Sequence, residues 1–457
     1  MKTVDLLVIG AGPAGMSAAT EATAQGLSTL VMDEQTAPGG QIYRSVEGAA
    51  RDRLGILGED YAKGGEIARA FRESGADYMT GALVWNIGTD RVVDYSRNGR
   101  SGQIRAGSIL VATGAVERPV PIPGWTLPGV TTAGAMQIML KSGGVVFENA
   151  VLMGSGPLLW LLAAQMVDAG CPPRAVIENL PKGRLMEAAR KLKGTWAGRG
   201  YLRKGAQLMW KVRRAGVEVH SSATDLRVEG EGQAEAVAFR KGGTEHRIET
   251  ASVALHQGVV PNQQITRLLR ADHVWDANQH AFRPVLDETG RTSVEWLWVA
   301  GDGGGIFGAA SAALQGRVAA LAIAGKTGNA ARLQDELRRD GAVRPFLEAL
   351  YAPAPDVLRP KDETIVCRCE EVTAGQIRKA TEQGAPGPNQ VKSLLRTGMG
   401  PCQGRVCGLA VAQIVADTQG VTPAGDAYFR IRPPLKPIPL SELANFVVDD
   451  EEEEVAE

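Results

Sequence analysis

The sequence predicts an α/β protein with a Rossmann-like dinucleotide-binding domain, a second domain of the same type inserted into it, and a small α-rich C-terminal domain. Apolar runs that end in glycine and lead into Ala-rich or Leu-rich stretches begin near residues 4, 150 and 297. Such runs are typical of the strand–turn–helix units of parallel sheets. Four of the five cysteines lie in the last fifth of the chain, which indicates a separate cysteine-bearing domain.

Composition and charge exclude several classes of function. The 457 residues are 44% hydrophobic, and 50 basic residues nearly balance 51 acidic ones, so nothing indicates a nucleic-acid partner. The apolar stretch 6–18 after Lys2 fits a strand, turn and helix better than a secretion signal. Glycines and a proline at 154–157 interrupt the most apolar window, so we predict no transmembrane segment. We expect a cytoplasmic protein whose cysteines bind metal.

The first glycine turn predicts a dinucleotide site. Residues 4–9 form a short buried-strand pattern that leads into Gly-Ala-Gly-Pro-Ala-Gly and an Ala-rich helix. The first glycine permits the tight turn, the second lets the backbone approach a pyrophosphate, and the third lets the helix pack close to the strand. A second strand, 28–32, ends at Asp33, whose carboxylate can accept hydrogen bonds from a ribose hydroxyl. The candidate residues are Gly10, Gly12, Pro13, Ala14, Gly15 and Asp33, with Glu34 as the competing acid.

Three further segments supply candidate residues for the same ligand. The strand 108–112 ends at Thr113 and Gly114, and the strand 297–300 ends at Gly301 and Asp302, ahead of a helix that includes Ala309. The loop 38–44 contains two glycines that would let backbone lie against phosphate and ribityl groups, and its candidates are Gly40 and Gln41. The alternatives are a plain helix cap for Asp302 and an ordinary turn for Gln41.

With these motifs, residues 5–325 resemble the two-dinucleotide-domain flavoprotein family that includes thioredoxin reductase and glutathione reductase. The resemblance implies that the dinucleotide is FAD, that Thr113 and Gly114 lie near it, and that Asp302 holds the flavin's ribityl chain. The chain lacks the paired redox cysteines of those enzymes near either nucleotide fold, since Cys171 stands alone there. Without a dithiol it cannot attack a substrate disulfide.

The second dinucleotide fold is degenerate. Gly154 and Gly156 are present and a following strand ends in Glu178, but Leu159 replaces the third glycine. This loss weakens the case for NAD(P)H. A former site kept for structural reasons and a site for another adenine nucleotide are the alternatives. The segment 252–262 resembles the return strand and Gly-x-x-Pro-Asn turn of the disulfide reductases, so the chain re-enters the FAD domain near 260.

The cysteines predict a metal centre on four thiolates: Cys367, Cys369, Cys402 and Cys407. Zinc is the alternative, although a Cys-x-Cys pair is tighter than the usual structural zinc spacing, and a redox flavin in the same chain favours iron and sulfur. Glycines 398, 400, 404 and 408 would let backbone amides reach cluster sulfurs, and arginines 368, 396 and 405 could offset negative charge. This region resembles the bacterioferritin-associated-ferredoxin-like [2Fe-2S] domain in two segments, Cys-Arg-Cys-Glu-Glu-Val-Thr and Gly-Pro-Cys-Gln-Gly-Arg-Val-Cys-Gly.

The full arrangement, with the ending Arg432-Pro-Pro-Leu-Lys-Pro-Ile-Pro-Leu, resembles the alpha or A subunit of heteromeric amino-acid dehydrogenases such as opine oxidases, proline and hydroxyproline dehydrogenases and hydrogen cyanide synthase. The resemblance implies a separate flavoprotein partner that oxidises the substrate and a downstream electron acceptor. A stand-alone NAD(P)H-dependent reductase and an assembly subunit with vestigial sites are the alternatives. None of the five histidines has a supporting motif, so the catalytic residues stay unassigned.

These motifs predict five regions. The FAD-binding domain covers 1–124 and 258–328, the second dinucleotide-binding-like domain 125–257, a linker 329–360, the [2Fe-2S] domain 361–420, and a C-terminal extension with an acidic tail 421–457.

Overall fold

The computed structural model describes residues 1–191 and 199–446, and its largest sheet joins the N-terminal strand to a strand from far along the chain. The N-terminal strand pairs in parallel with its neighbours on both sides, and an antiparallel meander continues the sheet at one edge. The late strand pairs in parallel with the carboxyl half of β6. The strands are β1 (Lys2–Ile9), β2 (Thr29–Asp33), β3 (Asp77–Thr80), β4 (Leu83–Ile87), β5 (Val92–Arg97), β6 (Arg100–Val111) and β19 (Leu297–Val299).

Small residues bring two helices together on one face of this sheet. A Cβ added at Gly316 would lie 2.1 Å from the carbonyl oxygen of Ala14, so only glycine permits the observed approach of α9 to α1. The short side chains of the two Ala-rich helices thus explain their close packing. The helices of this domain are α1 (Pro13–Ala24), α2 (Arg51–Leu57), α3 (Glu59–Glu73), α8 (Gln264–Leu268) and α9 (Ala309–Ile323).

The second domain contains a five-stranded parallel sheet in the order β11-β10-β9-β15-β8. An antiparallel three-stranded sheet, β12-β13-β14, accompanies it. The strands are β8 (Val130–Thr132), β9 (Val151–Ser155), β10 (Ala175–Glu178), β11 (Glu218–His220), β12 (Thr224–Glu229), β13 (Ala236–Lys241), β14 (Thr244–Glu249) and β15 (Val253–Gln257); the helices are α4 (Ala133–Gly143), α5 (Pro157–Asp168), α6 (Arg184–Ala189) and α7 (Arg199–Arg214).

Two short strands mark where the chain leaves the first domain and returns to it. β7 (Ala115–Glu117) pairs with β16 (Val259–Pro261) in antiparallel orientation. The predicted domain limits at 124/125 and 257/258 lie close to these strands and remain predictions. A hairpin of β17 (His273–Asp276) and β18 (Ala281–Pro284) follows β16 and α8.

The segment between the FAD-binding domain and the cysteines, predicted as a linker, contains short helices. A 3-10 turn covers Thr327–Ala330, and three α-helices follow it: α10 (Ala331–Gly341), α11 (Arg344–Leu350) and α12 (Pro355–Leu358). Phe346 and Ala349 of α11 pack with Ala188 of α6. The end of this segment therefore lies against the second domain.

The cysteine-bearing domain is small and largely helical. Its elements are β20 (Ile365–Cys367), β21 (Val372–Thr373), α13 (Ala374–Glu382), α14 (Pro388–Leu395) and α15 (Gly408–Gln419), and α16 (Leu440–Ala444) follows in the C-terminal extension. A capping box of Thr373 and Gln376 begins α13, since their side chains satisfy free amides at the helix N-terminus. Cys367 and Cys407 belong to the same buried apolar cluster as Leu7 of β1, so this domain packs directly on the first.

Within residues 1–191 and 199–446, no helix has the length and apolar character needed to cross a bilayer. The predicted acidic run Asp449–Glu454 lies outside the described residues.

Candidate functional site

Four parallel strands of the first sheet end at one edge. Ile9 pairs with Met32 of β2 and with Val111 of β6, and Val299 of β19 pairs with Val111 as well. The carboxyl edge of a parallel sheet is where nucleotides bind in this class of fold. All the predicted flavin-site residues either follow these strands directly or lie on the helices and loop that adjoin them.

The glycine turn after β1 is constrained as the sequence predicts. Gly10 has φ +106°, and a Cβ there would lie 2.6 Å from the carbonyl oxygen of Ala112 at the end of β6. A Cβ at Gly15 would lie 1.9 Å from the Gly10 carbonyl oxygen, so the third glycine lets α1 pack against the turn. Gly10 and Gly12 are only partly buried, which leaves the turn accessible to a phosphate. Pro13 and Ala14 form the first residues of α1.

The structure distinguishes the two acids at the end of β2: Asp33 is its last residue and Glu34 follows it. Asp33 accepts hydrogen bonds from the amides of Ala11 (2.6 Å) and Gln35 (2.7 Å), which fixes its carboxylate beside the glycine turn. Burial raises the pKa of Asp33 despite these hydrogen bonds. The exposed Glu34 instead forms an ion pair with Lys436. The geometry favours Asp33 for ribose, and its binding role remains a prediction.

The loop 38–44 packs against the glycine turn. The amide of Gly39 donates to the Ala11 carbonyl at 2.8 Å. Gly40 has φ +59°, and a Cβ there would lie 2.9 Å from the Cα of Gly12, so two glycines of different loops meet. The Gln41 side chain is exposed and accepts a hydrogen bond from Arg44 at 3.0 Å. Gly40 therefore has a structural reason to be glycine at this site.

The turn after β19 lies at the same carboxyl edge of the first sheet as the glycine turn. A Cβ at Gly303 would lie 3.4 Å from the carbonyl oxygen of Gly114, which follows Thr113 at the end of β6. One oxygen of Asp302, Oδ1, accepts from the amides of Phe307 and Gly308 at 2.8 Å each. Asp302 thus orders the loop before α9. It is not the cap of that helix, because α9 begins at Ala309 with Gly308 as its N-cap and without a side-chain cap. The other oxygen, Oδ2, has no hydrogen bond within the described residues. A Cβ at Gly301 would contact Ala14 at 3.1 Å.

A buried lysine lies beside this site, and no sequence motif predicts it. Lys141 of α4 is 2% exposed, and its Nζ donates to the Gln41 carbonyl (3.0 Å) and to Gln137 Oε1 (2.8 Å). Burial, and then the nearby Arg44 guanidinium, lower its pKa to about 7. Lys141 joins the second domain to the loop 38–44. Sequence reasoning misses it because its environment comes from three separate segments.

The second glycine turn has a different environment from the first. Gly154, Ser155 and Gly156 are all buried. A Cβ at Gly156 would lie 2.8 Å from the imidazole of His256. Glu178 is 7% exposed and accepts a hydrogen bond from Trp160 Nε1 at 2.8 Å, and burial raises its pKa. The alternatives of NAD(P)H and another adenine nucleotide at this turn remain predictions.

The four predicted metal ligands come together in the C-terminal domain. The Cys407 thiol lies beside those of Cys367 and Cys402, and the Cys369 thiol lies beside that of Cys402, so that each shifts the pKa of its neighbours. The Cys407 thiol is the largest cause of the lowered pKa of Cys367, about 6, and of Cys402, about 5. No three His, Cys, Asp or Glu side chains in the described ranges are arranged around a single-ion site. A [2Fe-2S] cluster needs four thiolates spread over two irons, and the four neighbouring cysteines supply that number.

All four glycines near the cysteines are closely packed. Added Cβ atoms at Gly398 and Gly404 would lie 2.7 Å from the Phe429 ring, and at Gly400 and Gly408 they would lie 2.2 Å from the Cys369 Cβ and 2.3 Å from the Tyr428 hydroxyl. The amides of Gly398 and Gly404 also face the Cys367 and Cys402 thiols and help to lower their pKa. Their contact with cluster sulfurs remains a prediction.

The three predicted arginines use their side chains differently. The Arg405 guanidinium donates to the Cys402 carbonyl at 3.0 Å. Arg396 forms an ion pair with Glu370 at 3.0 Å. Arg368, between the first two cysteines, stacks over Trp125. Among the described residues, Arg405 is thus the one of the three whose side chain is hydrogen-bonded to the backbone of a predicted ligand.

Residues 4–316 match the family model of the pyridine nucleotide-disulphide oxidoreductases. The chain belongs to this family. Residues 365–417 match the BFD-like [2Fe-2S] binding domain. The predicted fold class and cofactors are thereby confirmed: the chain is a flavin-dependent oxidoreductase of mixed α/β fold that uses FAD and a [2Fe-2S] cluster. The glycine-rich carboxyl edge of the first sheet suits FAD, and the four neighbouring thiols suit the [2Fe-2S] cluster.

Several named relatives can be aligned with this chain over nearly its full length. The A subunit of opine oxidase from Rhizobium meliloti is 42% identical, with 98% of this chain and 100% of the relative covered. The HcnB subunit of hydrogen cyanide synthase from Pseudomonas aeruginosa is 30% identical over 96% of this chain and 98% of the relative. The crystal structure of L-proline dehydrogenase from P. horikoshii has the same fold, with a TM-score of 0.70 at 18% identity over 96% of this chain and 79% of that one. The predicted resemblance to subunits of heteromeric dehydrogenases is confirmed.

Proposed function

We propose that this chain is the electron-transfer subunit of a heteromeric dehydrogenase or oxidase whose partner chain oxidises an amino acid, an opine or hydroxyproline. When bound, FAD accepts two electrons and the [2Fe-2S] cluster transfers one at a time. In this proposal, FAD is held at the glycine turn, Asp33, Gly40, Gly114 and Asp302. The four cysteines hold the cluster.

The observation that carries the proposal is a cavity between the predicted flavin site and the four cysteines. The amide of Asn262 donates to the Gly114 carbonyl at 3.0 Å, so Asn262 borders the flavin edge. A small cavity lined by Asn262, Arg405 and Tyr428 lies between the paired strands β7 and β16 and the cysteine domain. Arg405 in turn contacts the Cys402 carbonyl. The lining of this one cavity therefore includes Asn262, which contacts the predicted flavin site at Gly114, and Arg405, which contacts the predicted cluster ligand Cys402.

The relatives support the involvement of a partner. The opine oxidase and hydrogen cyanide synthase relatives are both named as subunits and match this chain at nearly full length. No histidine is assigned as a catalytic acid or base for substrate oxidation. Two of them have partners inside the protein, since the buried His256 is hydrogen-bonded to Glu117 and His273 to Thr266. These observations support our proposal that the substrate site lies on another chain.

The test uses the purified chain under anaerobic conditions. We expect one FAD and about two irons per chain, reduction of both by dithionite, and no bleaching of the flavin by proline, hydroxyproline, octopine or nopaline. Bleaching by one of these substrates without a partner would make the chain a dehydrogenase in its own right. A chain without flavin and iron would have only an assembly role.

A second arm tests the direction of transfer in the complex. With a co-purified catalytic chain, we expect substrate to reduce the cluster, measured by electron paramagnetic resonance. The variant Cys402→Ser should keep FAD but lose this signal and the reduction of a one-electron acceptor. Unchanged acceptor reduction in that variant would contradict a role for the cluster in the transfer.

A further inference from the structure

A segment of the chain lies at the edge of the second sheet where a nucleotide would bind. Ligands of open parallel sheets bind outside the carboxyl ends of the strands. In the second sheet, β9, β10 and β15 end at Ser155, Glu178 and Gln257. The amide of Ala354, just before α12, donates to Gln257 Oε1 at 3.1 Å. The segment 351–354, which we call the covering segment, therefore contacts this edge.

The covering segment is buried with the sheet rather than resting on its surface. Ala354 and Val357 belong to the apolar cluster of the second sheet, together with Met153, Ile177 and Leu255. Ala352 is 8% exposed and Ala354 5% exposed. Water is thus excluded between the segment and the strand ends, and displacing the segment would expose apolar surface.

The polar groups that would contact a nucleotide already have partners inside the protein. Glu178 accepts a hydrogen bond from Trp160, and Gln257 donates to Asn179 Oδ1 at 2.8 Å. Ser155 donates to Gln257 at 3.4 Å. An incoming ribose would have to break these buried hydrogen bonds, which is costly when no replacement of equal geometry forms.

The glycine turn is covered as well. The His256 imidazole lies against Gly156, and its Nδ1 is 2.6 Å from Glu117 Oε1. The other carboxylate oxygen of Glu117 accepts from the Gly134 amide at 2.8 Å. The ring is therefore fixed over the turn by a second element, whereas the first glycine turn remains partly accessible.

The covering segment is anchored from two directions. On one side, α11 precedes it and packs on α6, and Glu348 accepts a hydrogen bond from Gln279 at 2.8 Å. Arg344, at the start of α11, donates to the carbonyl of Phe307. Phe307 in turn donates its amide to Asp302 at the flavin edge. On the other side, α12 is held by Val357 in the core.

We infer that the covering segment closes the second dinucleotide fold, so that the chain takes no electrons from NADH or NADPH there. The fold is kept as a packing platform for the segment rather than as a ligand site. This inference concerns the second fold alone: a failed relay role would leave the closure intact, and a nucleotide that binds would leave the relay untouched.

The test compares nucleotide binding with exposure of the segment in the holo chain. We expect millimolar NADH or ADP to produce no calorimetric binding beyond the flavin site and no change in hydrogen exchange of the amides around 344–358. Saturable binding accompanied by faster exchange in these peptides would overturn the inference, because the segment would then be a displaceable lid.

An opening variant provides the positive arm. Ala354→Pro removes the amide that contacts Gln257, and the φ of −68° at this position suits proline. Combined with Tyr351→Ala, which removes a half-buried ring, it should speed exchange around 344–352 and permit ADP binding that Glu178→Gln then abolishes. A double variant that exchanges freely and still binds no ADP would overturn the claim that this segment is what closes the fold. Flavin and iron contents equal to those of the unmodified chain verify folding.

Discussion

Replacing Lys141 with methionine tests the cost of burying an amino group between the two domains. Its Nζ contacts a backbone carbonyl and an amide oxygen, and no carboxylate contacts it within the described residues. Burial and Arg44 lower its pKa from 10.5 to about 7. The Lys141→Met variant keeps a long apolar stem at the site and removes the titrating group.

The sign follows from proton binding in the two states. Between about pH 7 and pH 10.5 the unfolded chain keeps the Lys141 proton while the folded chain has released it, so stability rises with pH across this window. At about 1.4 kcal/mol per pKa unit, the full effect is roughly 5 kcal/mol, and we expect between about 2 and 5 kcal/mol. The variant lacks this rise, so its advantage over the unmodified chain is largest near pH 7 and below.

The assay is denaturant unfolding of both proteins at several pH values across that window. Groups other than Lys141 titrate equally in both proteins, so the difference between the two stability curves isolates the lysine. Lys379→Met, at an exposed position on α13, is the control and should leave the pH dependence unchanged. Parallel curves for Lys141→Met and the unmodified chain would refute the reasoning.

Three further outcomes are expected. Gly15→Ala places a Cβ 1.9 Å from a backbone oxygen and should remove most of the flavin, whereas Gly48→Ala, with nothing within 4 Å, should retain it; absorbance ratios measure both. Cys402→Ser should lose iron and keep flavin, while Cys171→Ser keeps both, and equal iron in the two would contradict the ligand assignment. Trp125→Phe leaves a carbonyl of the cysteine domain without its 2.6 Å hydrogen bond, and should lower the unfolding free energy by about 1–3 kcal/mol; an unchanged urea midpoint would count against this docking contact.

The two acids at the end of β2 illustrate a choice that local sequence leaves open, namely which of them faces the glycine turn. Asp33 and Glu34 are adjacent and chemically alike, so the sequence offers both. The strand direction turns Asp33 toward the glycine turn, and a distant residue, Lys436, pairs with Glu34. The choice depends on side-chain direction at the end of a strand, which alternates from one residue to the next.

The glycine turns, the order of the strand–turn–helix units and the four cysteines can be predicted from local patterns, because the spacing of each pattern defines its geometry. The accessibility of these sites depends instead on how distant segments pack. The contact of Lys141 with Gln41 and that of Ala354 with Gln257 each join residues about a hundred positions apart. Such contacts bury a lysine and cover a nucleotide fold, and they depend on how separate segments pack, which no local spacing records.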